Sequence, residues 1–265
     1  MSDQENKKAT QPNQSGEKLL RIMEYLAMRG EPVRGLDIAK DLQINASTAL
    51  RFLLTLENCG YAAQDPETSK YYLTFKICNL ASKVSASADV RNLARPYLLT
   101  LSRSFGESSC LAVESDFCVT YIDVVEGPDS MIRSMQRIGS VAPMHCTGIG
   151  KLLLLNADPE KIDRLIAAKG LTRYTEHTIT SREELLAELE RVRRQGYAFD
   201  NEECEIGARC IAFPIRDYTG KVVAGFSVTG PAARLSDSRI GEKIEEMRQV
   251  SKELSKKLGY MELSQ

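Results

Sequence analysis

Three groups of residues carry side chains whose type and spacing suit chemistry. The first is Ser47, Thr48, Arg51 and Thr55. At helical spacing they put small hydroxyl donors and one guanidinium on one face, a set that can bond base edges and phosphates in a DNA major groove. The second is Thr147-Gly148-Ile149-Gly150-Lys151. At a helix start, unsatisfied N–H groups and the helix dipole favour an anion, and glycines let a ligand approach the backbone. A plain tight turn would use the same letters, and the G-x-x-x-x-G-K-[ST] spacing of a nucleotide loop is absent. The third is His145-Cys146 with Cys204 and Cys210, whose donor types suit zinc or a thiol nucleophile. The chain has only two histidines, His145 and His177. Structural zinc needs about four ligands at suitable spacing, and no such set is evident. A Cys–His nucleophile also needs an orienting third group and an oxyanion hole. No metal, cofactor or catalytic set is therefore expected, while a redox role for one of the seven cysteines stays open.

These groups need elements to hold them. Leu36–Gly60 reads as two short helices joined by Gln43-Ile44-Asn45. Ile38, Ala39 and Leu42 line the first, and Asn45 is a suitable N-cap for the second. Behind Ser47, Thr48, Arg51 and Thr55, the residues Leu50, Leu53 and Leu54 form an apolar stripe. An ordinary helical hairpin with a solvated face has the same pattern. The flanks favour the DNA reading. Glu17–Met28 predicts a helix through Leu19, Leu20, Met23 and Leu26, stopped by Gly30. Tyr61–Gln64, a polar turn over Asp65–Lys70, and Tyr71–Phe75 predict a β-hairpin. Three helices and a hairpin make a winged helix-turn-helix over residues 17–76, with Lys70, Thr68 and Ser69 on the wing near a phosphate backbone or minor groove. Residues 1–16 read as a disordered arm, and Ile77–Ala88 as a linker helix.

From residue 89 the pattern changes. Val90–Ser104 is helical by period, with Pro96 marking a kink or a nearby start. Cys110–Val113 and Val119–Val125 read as strands around Ser115-Asp116, and Met131–Gln136 as another. Thr147–Leu155 is a buried helix start. Pro159–Ala168 and Arg182–Gln195 are amphipathic helices, the latter opened by a Ser181/Glu184 capping box. Cys210–Arg216 and Val222–Val228 are strands joined by Asp217–Gly220, and Ser236–Leu258 is a closing helix. Strands mixed with helices and antiparallel hairpins predict an α+β domain over residues 89–265.

Composition bounds the class. Of 265 residues, 43% are hydrophobic and 27% charged, ordinary for a globular protein. No apolar run approaches the roughly 20 residues needed to span a bilayer, so no membrane partner is expected. The polar N-terminus lacks a secretory h-region. Seven cysteines, an odd number without C-x-x-C spacing, read as reduced thiols in a cytoplasmic protein. Net charge is −1. Over Glu17–Lys76, eight basic side chains (Lys18, Arg21, Arg29, Arg34, Lys40, Arg51, Lys70, Lys76) meet eight acidic ones. That balance counts against a nonspecific, purely electrostatic nucleic-acid binder, but not against one whose few cations share a face.

Pro143-Met144-His145-Cys146-Thr147-Gly148-Ile149-Gly150-Lys151 resembles a motif of the IclR family of bacterial transcriptional regulators. So do Gly196-Tyr197-Ala198-Phe199-Asp200-Asn201-Glu202-Glu203, Gly207–Ile215 and Ser227-Val228-Thr229-Gly230-Pro231, in that order. The resemblance covers nearly all of Glu17–Tyr260. It implies a winged helix-turn-helix, a linker helix and a C-terminal effector-binding domain of GAF-like fold. It also implies homodimers or dimers of dimers on double-stranded, palindromic operator DNA, and repression or activation of catabolic operons in response to a small organic acid. Gly148 and Ile149 match amide positions that contact the acid; Asp200, Cys210, Ser227 and Thr229 match other pocket positions. Ser227 and Thr229 lie two apart on a strand and share a face. Asp200 would repel a carboxylate unless protonated or bonded to a ligand hydroxyl, and instead can cap the loop Asn201–Glu205. Cys146, Ile149 and Thr229 stand where many relatives have serine or alanine, so effector identity does not carry over. The expected function is a ligand-responsive regulator. The alternative is a small-metabolite enzyme or sensor without operator specificity.

Overall fold

The structure, a computed structural model, describes residues 13–80, 89–127 and 137–261. The expectations for residues 1–12, for the linker beyond residue 80 and for a strand at 131–136 lie outside these. The chain divides into two compact units, residues 1–87 and 88–265.

In the first unit α1 spans Gln14–Arg29 and ends at Gly30, whose φ is 65°. It begins earlier than the Glu17 expected, because the Asn13 side chain accepts the amides of Ser15 and Gly16. Its buried residues are Ile22 and Leu26, while Leu20 is exposed; the helix is turned from the predicted stripe. A two-residue strand β1 (Val33–Arg34), not foreseen, leads into α2 (Gly35–Asp41) and α3 (Ala46–Asn58). The intervening turn carries Gln43 at φ 55°, and Asn45 caps α3 through the Ser47 amide. The wing is β2 (Ala62–Gln64) and β3 (Lys70–Leu73), with β3 between β1 and β2. Asp65 shapes its tip by accepting from the Thr68 amide at 2.7 Å and the Glu67 amide at 3.1 Å. Ile22, Leu26, Ile38, Phe52, Leu53, Leu56, Ala62 and Tyr71 form one core. Residues 76–80 are helical.

The second unit is one antiparallel sheet of order β6-β5-β4-β9-β8-β7. Its strands are β4 (Ser108–Ser115), β5 (Cys118–Val125), β6 (Val141–Pro143), β7 (Ala198–Asn201), β8 (Ala208–Arg216) and β9 (Val222–Pro231). The β4–β5 turn is Asp116-Phe117, both at positive φ, one residue later than predicted. On one face lie α4 (Val90–Phe105), running through Pro96, and α8 (Asp237–Lys257). They pack on Leu111, Ile211, Phe213, Phe226 and Val228. On the other lie α5 (Gly148–Leu154), α6 (Pro159–Lys169) and α7 (Arg182–Gln195), over Cys110, Ala112, Ala198, Cys210 and Ala212. Strand alternation makes the division: residues 110 and 112 face one way and 111 the other.

Candidate functional site

The first candidate surface lies around α3. Its buried face is Ala49, Phe52, Leu53 and Leu56. Leu50 and Leu54, predicted to sit behind, are 48% and 45% exposed. Two apolar stripes compete on this helix, and the one containing Phe52 buries more surface. The outer stripe is thus Ser47, Leu50, Arg51, Leu54 and Thr55, with Thr48 half-buried beside it. Ser47 Oγ donates to Asn45 Oδ1 at 2.8 Å, and Thr55 Oγ1 to the Arg51 carbonyl at 2.9 Å. Both hydroxyls can still accept, but their donors are partly committed locally. The Arg51 guanidinium is exposed, 5.7 Å from the Phe52 ring centre.

Ser47 and Leu50 line a groove of about 520 Å³ with Arg34, Gln64, Thr68 and Ser69, so the start of α3 and the wing tip share one concavity. Lys70 is not in it. It pairs in register with Arg34 across β1–β3 and opens on a separate cleft with Asp37 and Asp41. Arg34 and Leu50 were missed as surface residues. Arg34 gave no signal because β1 is two residues long; Leu50 was assigned to the wrong stripe.

The second candidate surface is the α5 face of the larger sheet. Register aligns Asp200 with Cys210 and Cys210 with Thr229. Two residues along, Ala198, Ala212, Ser227 and Cys110 align in the same way. Asp200, Cys210, Ser227 and Thr229 therefore share one face across three strands. Gly148 packs directly over them: a Cβ there would lie 3.0 Å from Ala212 Cβ and 3.4 Å from Cys210 Sγ. Ile149 is buried, and its Cγ2 would lie 2.8 Å from a Cβ on Gly225. Thr147 caps the helix by accepting from the Gly150 amide at 3.2 Å.

Chemically the cluster is buried and sparing in charge. Burial pushes the Cys210 thiol up to about 11, while hydrogen bonds to Thr229 and Ser227 pull the other way. Ser227 Oγ lies 3.0 Å from Cys110 Sγ. Burial also raises the Asp200 carboxyl above its ordinary range. Its Oδ1 accepts the amides of Glu203 at 2.9 Å and Cys204 at 3.3 Å, so Asp200 does cap its loop. Beside it, wholly buried Lys151 donates to Glu203 Oε1 at 2.5 Å and to the Phe199 carbonyl at 2.8 Å. That pair pins α5 to the β7–β8 loop and was not foreseen as part of the site. Among the described residues no group of three or more His, Cys, Asp or Glu could hold a metal ion, and no helix is long and apolar enough to cross a membrane.

A helix-turn-helix with a wing, followed by an antiparallel-sheet unit carrying a buried polar cluster, defines a DNA-binding transcriptional regulator with a sensory domain. Comparison with known proteins agrees. Residues 15–66 match the IclR helix-turn-helix domain, and residues 82–256 match the C-terminal domain of the bacterial transcriptional regulator IclR. The chain is 36% identical over 226 residues to the transcriptional regulator KdgR of Escherichia coli, covering 84% of this chain and 85% of that one. It is 34% identical over 247 residues to the regulator XynR of Escherichia coli, with 93% and 98% covered. The crystal structure of the Thermotoga maritima IclR aligns with a TM-score of 0.62 and 30% identity, over 93% of this chain and 99% of that one. The chain belongs to the IclR family of bacterial transcriptional regulators.

Proposed function

We propose that this regulator reads a palindromic operator as a homodimer, or a dimer of dimers, and that a small organic acid bound at the α5 face of the sheet changes its operator affinity. On the DNA side the reading assigns base or phosphate contacts to Ser47, Thr48, Arg51 and Thr55. It adds Leu50 as an apolar contact for a thymine methyl, with Lys70 and Arg34 as backbone cations. On the ligand side it assigns Gly148, Ile149, Asp200, Cys210, Ser227 and Thr229. The observation that carries it is the strand register, which gathers residues 200, 210, 227 and 229 under Gly148. A carboxylate would take hydroxyl donors from Ser227 and Thr229 and approach the backbone at Gly148, where a side chain is absent. Asp200, its carboxyl raised by burial, is suited to bond a ligand hydroxyl. A cytoplasmic location fits this work.

Coupling between the sites has a natural scale of about 1–3 kcal/mol, five- to 150-fold in operator affinity. The test is a gel shift on the DNA upstream of the chain's own reading frame, with a thermal-shift screen of aliphatic and aromatic acids. A stabilising acid should also change the shift. No specific retardation by folded dimer at moderate salt refutes the operator reading; acids that stabilise without altering retardation refute the coupling.

A further inference from the structure

We propose that Cys146 and Cys204 form a redox-active dithiol, which a peroxide converts to an intramolecular disulfide at the edge of the α5 cluster. The two are 58 residues apart in sequence, yet their sulfurs lie 3.2 Å apart, and Cys204 Sγ also sits 3.3 Å from the Cys146 carbonyl. The ~2.05 Å of a disulfide is about 1.1 Å closer than the two sulfurs stand. The other cysteines differ. Cys110 and Cys210 are buried in the sheet, Cys118 is partly exposed on β5, and Cys59 and Cys78 are exposed. Cys146 is wholly buried and Cys204 partly exposed, so of the two thiols it is Cys204 that meets solvent.

The surroundings favour one thiolate in the pair. The hydrogen bond from Cys204 brings the Cys146 thiol down to about 6, against burial, and the neighbouring His145 adds to this. The same hydrogen bond, with burial and the Asp200 charge, pushes Cys204 up, so it keeps the shared proton. His145 is anchored by its Nε2, 3.1 Å from the Thr172 carbonyl, and its ring lies 6.2 Å from that of Tyr174. Burial, the largest influence, lowers its basicity, but the Cys146 contact, the Thr172 carbonyl and the Glu203 charge together raise it. A lowered thiol pKa and a second thiol in contact are two features shared with redox-sensing cysteines; here exposure is supplied by Cys204 rather than by Cys146.

The chemistry closes with hydrogen peroxide as oxidant. The Cys146 thiolate attacks one peroxide oxygen, the O–O bond breaks, and hydroxide leaves a sulfenic acid on Cys146. That hydroxide takes the Cys204 proton. The Cys204 sulfur then displaces the sulfenic hydroxyl, forming the S–S bond. Counting the proton Cys146 gave up, two thiols and one peroxide yield one disulfide and two waters; both sulfurs are oxidised and both peroxide oxygens reduced. The cross-link would join the residue before Thr147, the α5 cap, to the loop whose Cys204 amide binds Asp200. Any effect on acid binding rests on the proposed effector site; the cross-link itself does not.

The test uses the full chain without added ligand. It is treated with hydrogen peroxide, alkylated and mapped by mass spectrometry over time. A peptide pair joining Cys146 and Cys204, 2 Da lighter and reversed by dithiothreitol, should form at least tenfold faster than Cys59 and Cys78 lose alkylation. In Cys204→Ser, Cys146 should instead be trapped by dimedone as the sulfenic acid. Cys146 and Cys204 that both stay alkylatable in the unaltered chain, while Cys59 and Cys78 oxidise, overturn the proposal.

Discussion

Glu203 offers a direct test of how the second unit balances charge against burial. Its side chain is 9% exposed and bonded to Lys151 at 2.5 Å, yet its carboxyl is pushed up to about 7 from 4.5. Burial is the largest cause and Lys151 opposes it; Glu203 Oε2 has no hydrogen-bond partner. Desolvation thus exceeds the attraction of the pair, as often happens for buried ions. The sign follows from proton counting. Between pH 4.5 and 7 the folded chain keeps a proton that the unfolded chain has released. Glu203 therefore favours the fold at low pH, and this advantage is lost as pH rises through that window. The full span is worth about 3 kcal/mol, most of it between about pH 5 and 8. The assay is urea unfolding of the chain and of Glu203→Gln at about pH 5, 6, 7 and 8. His145 and Arg191 also feel the Glu203 charge, but groups remote from Glu203 act alike in both, so the stability of the original relative to the variant should fall by about 2 kcal/mol or more across the series. Parallel profiles would refute the reasoning and place Glu203 in effective contact with water.

The other predictions concern the two surfaces. Arg51→Ala should weaken operator binding by about 1–3 kcal/mol, roughly five- to 150-fold, with unchanged thermal stability; unchanged affinity in the gel shift removes Arg51 from the interface. The two glycines of the α5 motif should separate fold from ligand. A Cβ on Gly150 would lie 2.4 Å from Met144 Cα and 2.5 Å from Thr147 Oγ1, so Gly150→Ala should cost about 3 kcal/mol or more in urea unfolding. On Gly148 a Cβ would lie 3.0 Å from the Ala212 methyl and 3.3 Å from the Ala198 carbonyl; Gly148→Ala should cost less stability than Gly150→Ala and still fold, but lose the thermal shift given by the acid. A retained shift in folded Gly148→Ala refutes the placement of the carboxylate there.

Much of the fold was legible because local chemistry agreed with the final packing. Asn45 and Ser181 cap the helices expected of them, and Asp217–Gly220 joins β8 to β9. Where the letters permitted two answers, packing decided. On α3 the sets 49, 52, 53, 56 and 50, 53, 54 are both apolar at helical spacing, and only a partner surface distinguishes them. The strands Val33–Arg34 and Val141–Pro143 are too short to show a period. The Asp116-Phe117 turn puts an aromatic residue at φ 56°, a position its type does not advertise. The ligand-side residues came from family resemblance rather than periodicity. The nearness of Cys146 to Cys204 had no sequence signal, because it depends on how α5 meets the β7–β8 loop.

The two faces of the larger sheet explain why the polar cluster lies where it does. On the α4 and α8 side the strands present Leu111, Ile211, Phe213, Phe226 and Val228. Those side chains hold their helices at a distance and fill the gap with apolar volume. On the α5 side the same strands present Cys110, Ala112, Ala198, Cys210 and Ala212. Small residues let α5 descend until Gly148 is almost in contact with Ala212. At that spacing no long aliphatic chain fits, so the remaining partners are short polar groups: Ser227, Thr229 and Asp200. Polar atoms so buried must be satisfied. Lys151 serves one oxygen of Glu203, leaving Oε2 without a partner, loop amides serve Asp200, and the thiols of Cys110 and Cys210 serve the hydroxyls. Thiols are weak partners, so an incoming carboxylate would take the hydroxyls from them at little cost. Enlarging Ala212 should therefore disturb α5 and the ligand together, whereas enlarging a residue on the opposite face should disturb stability alone.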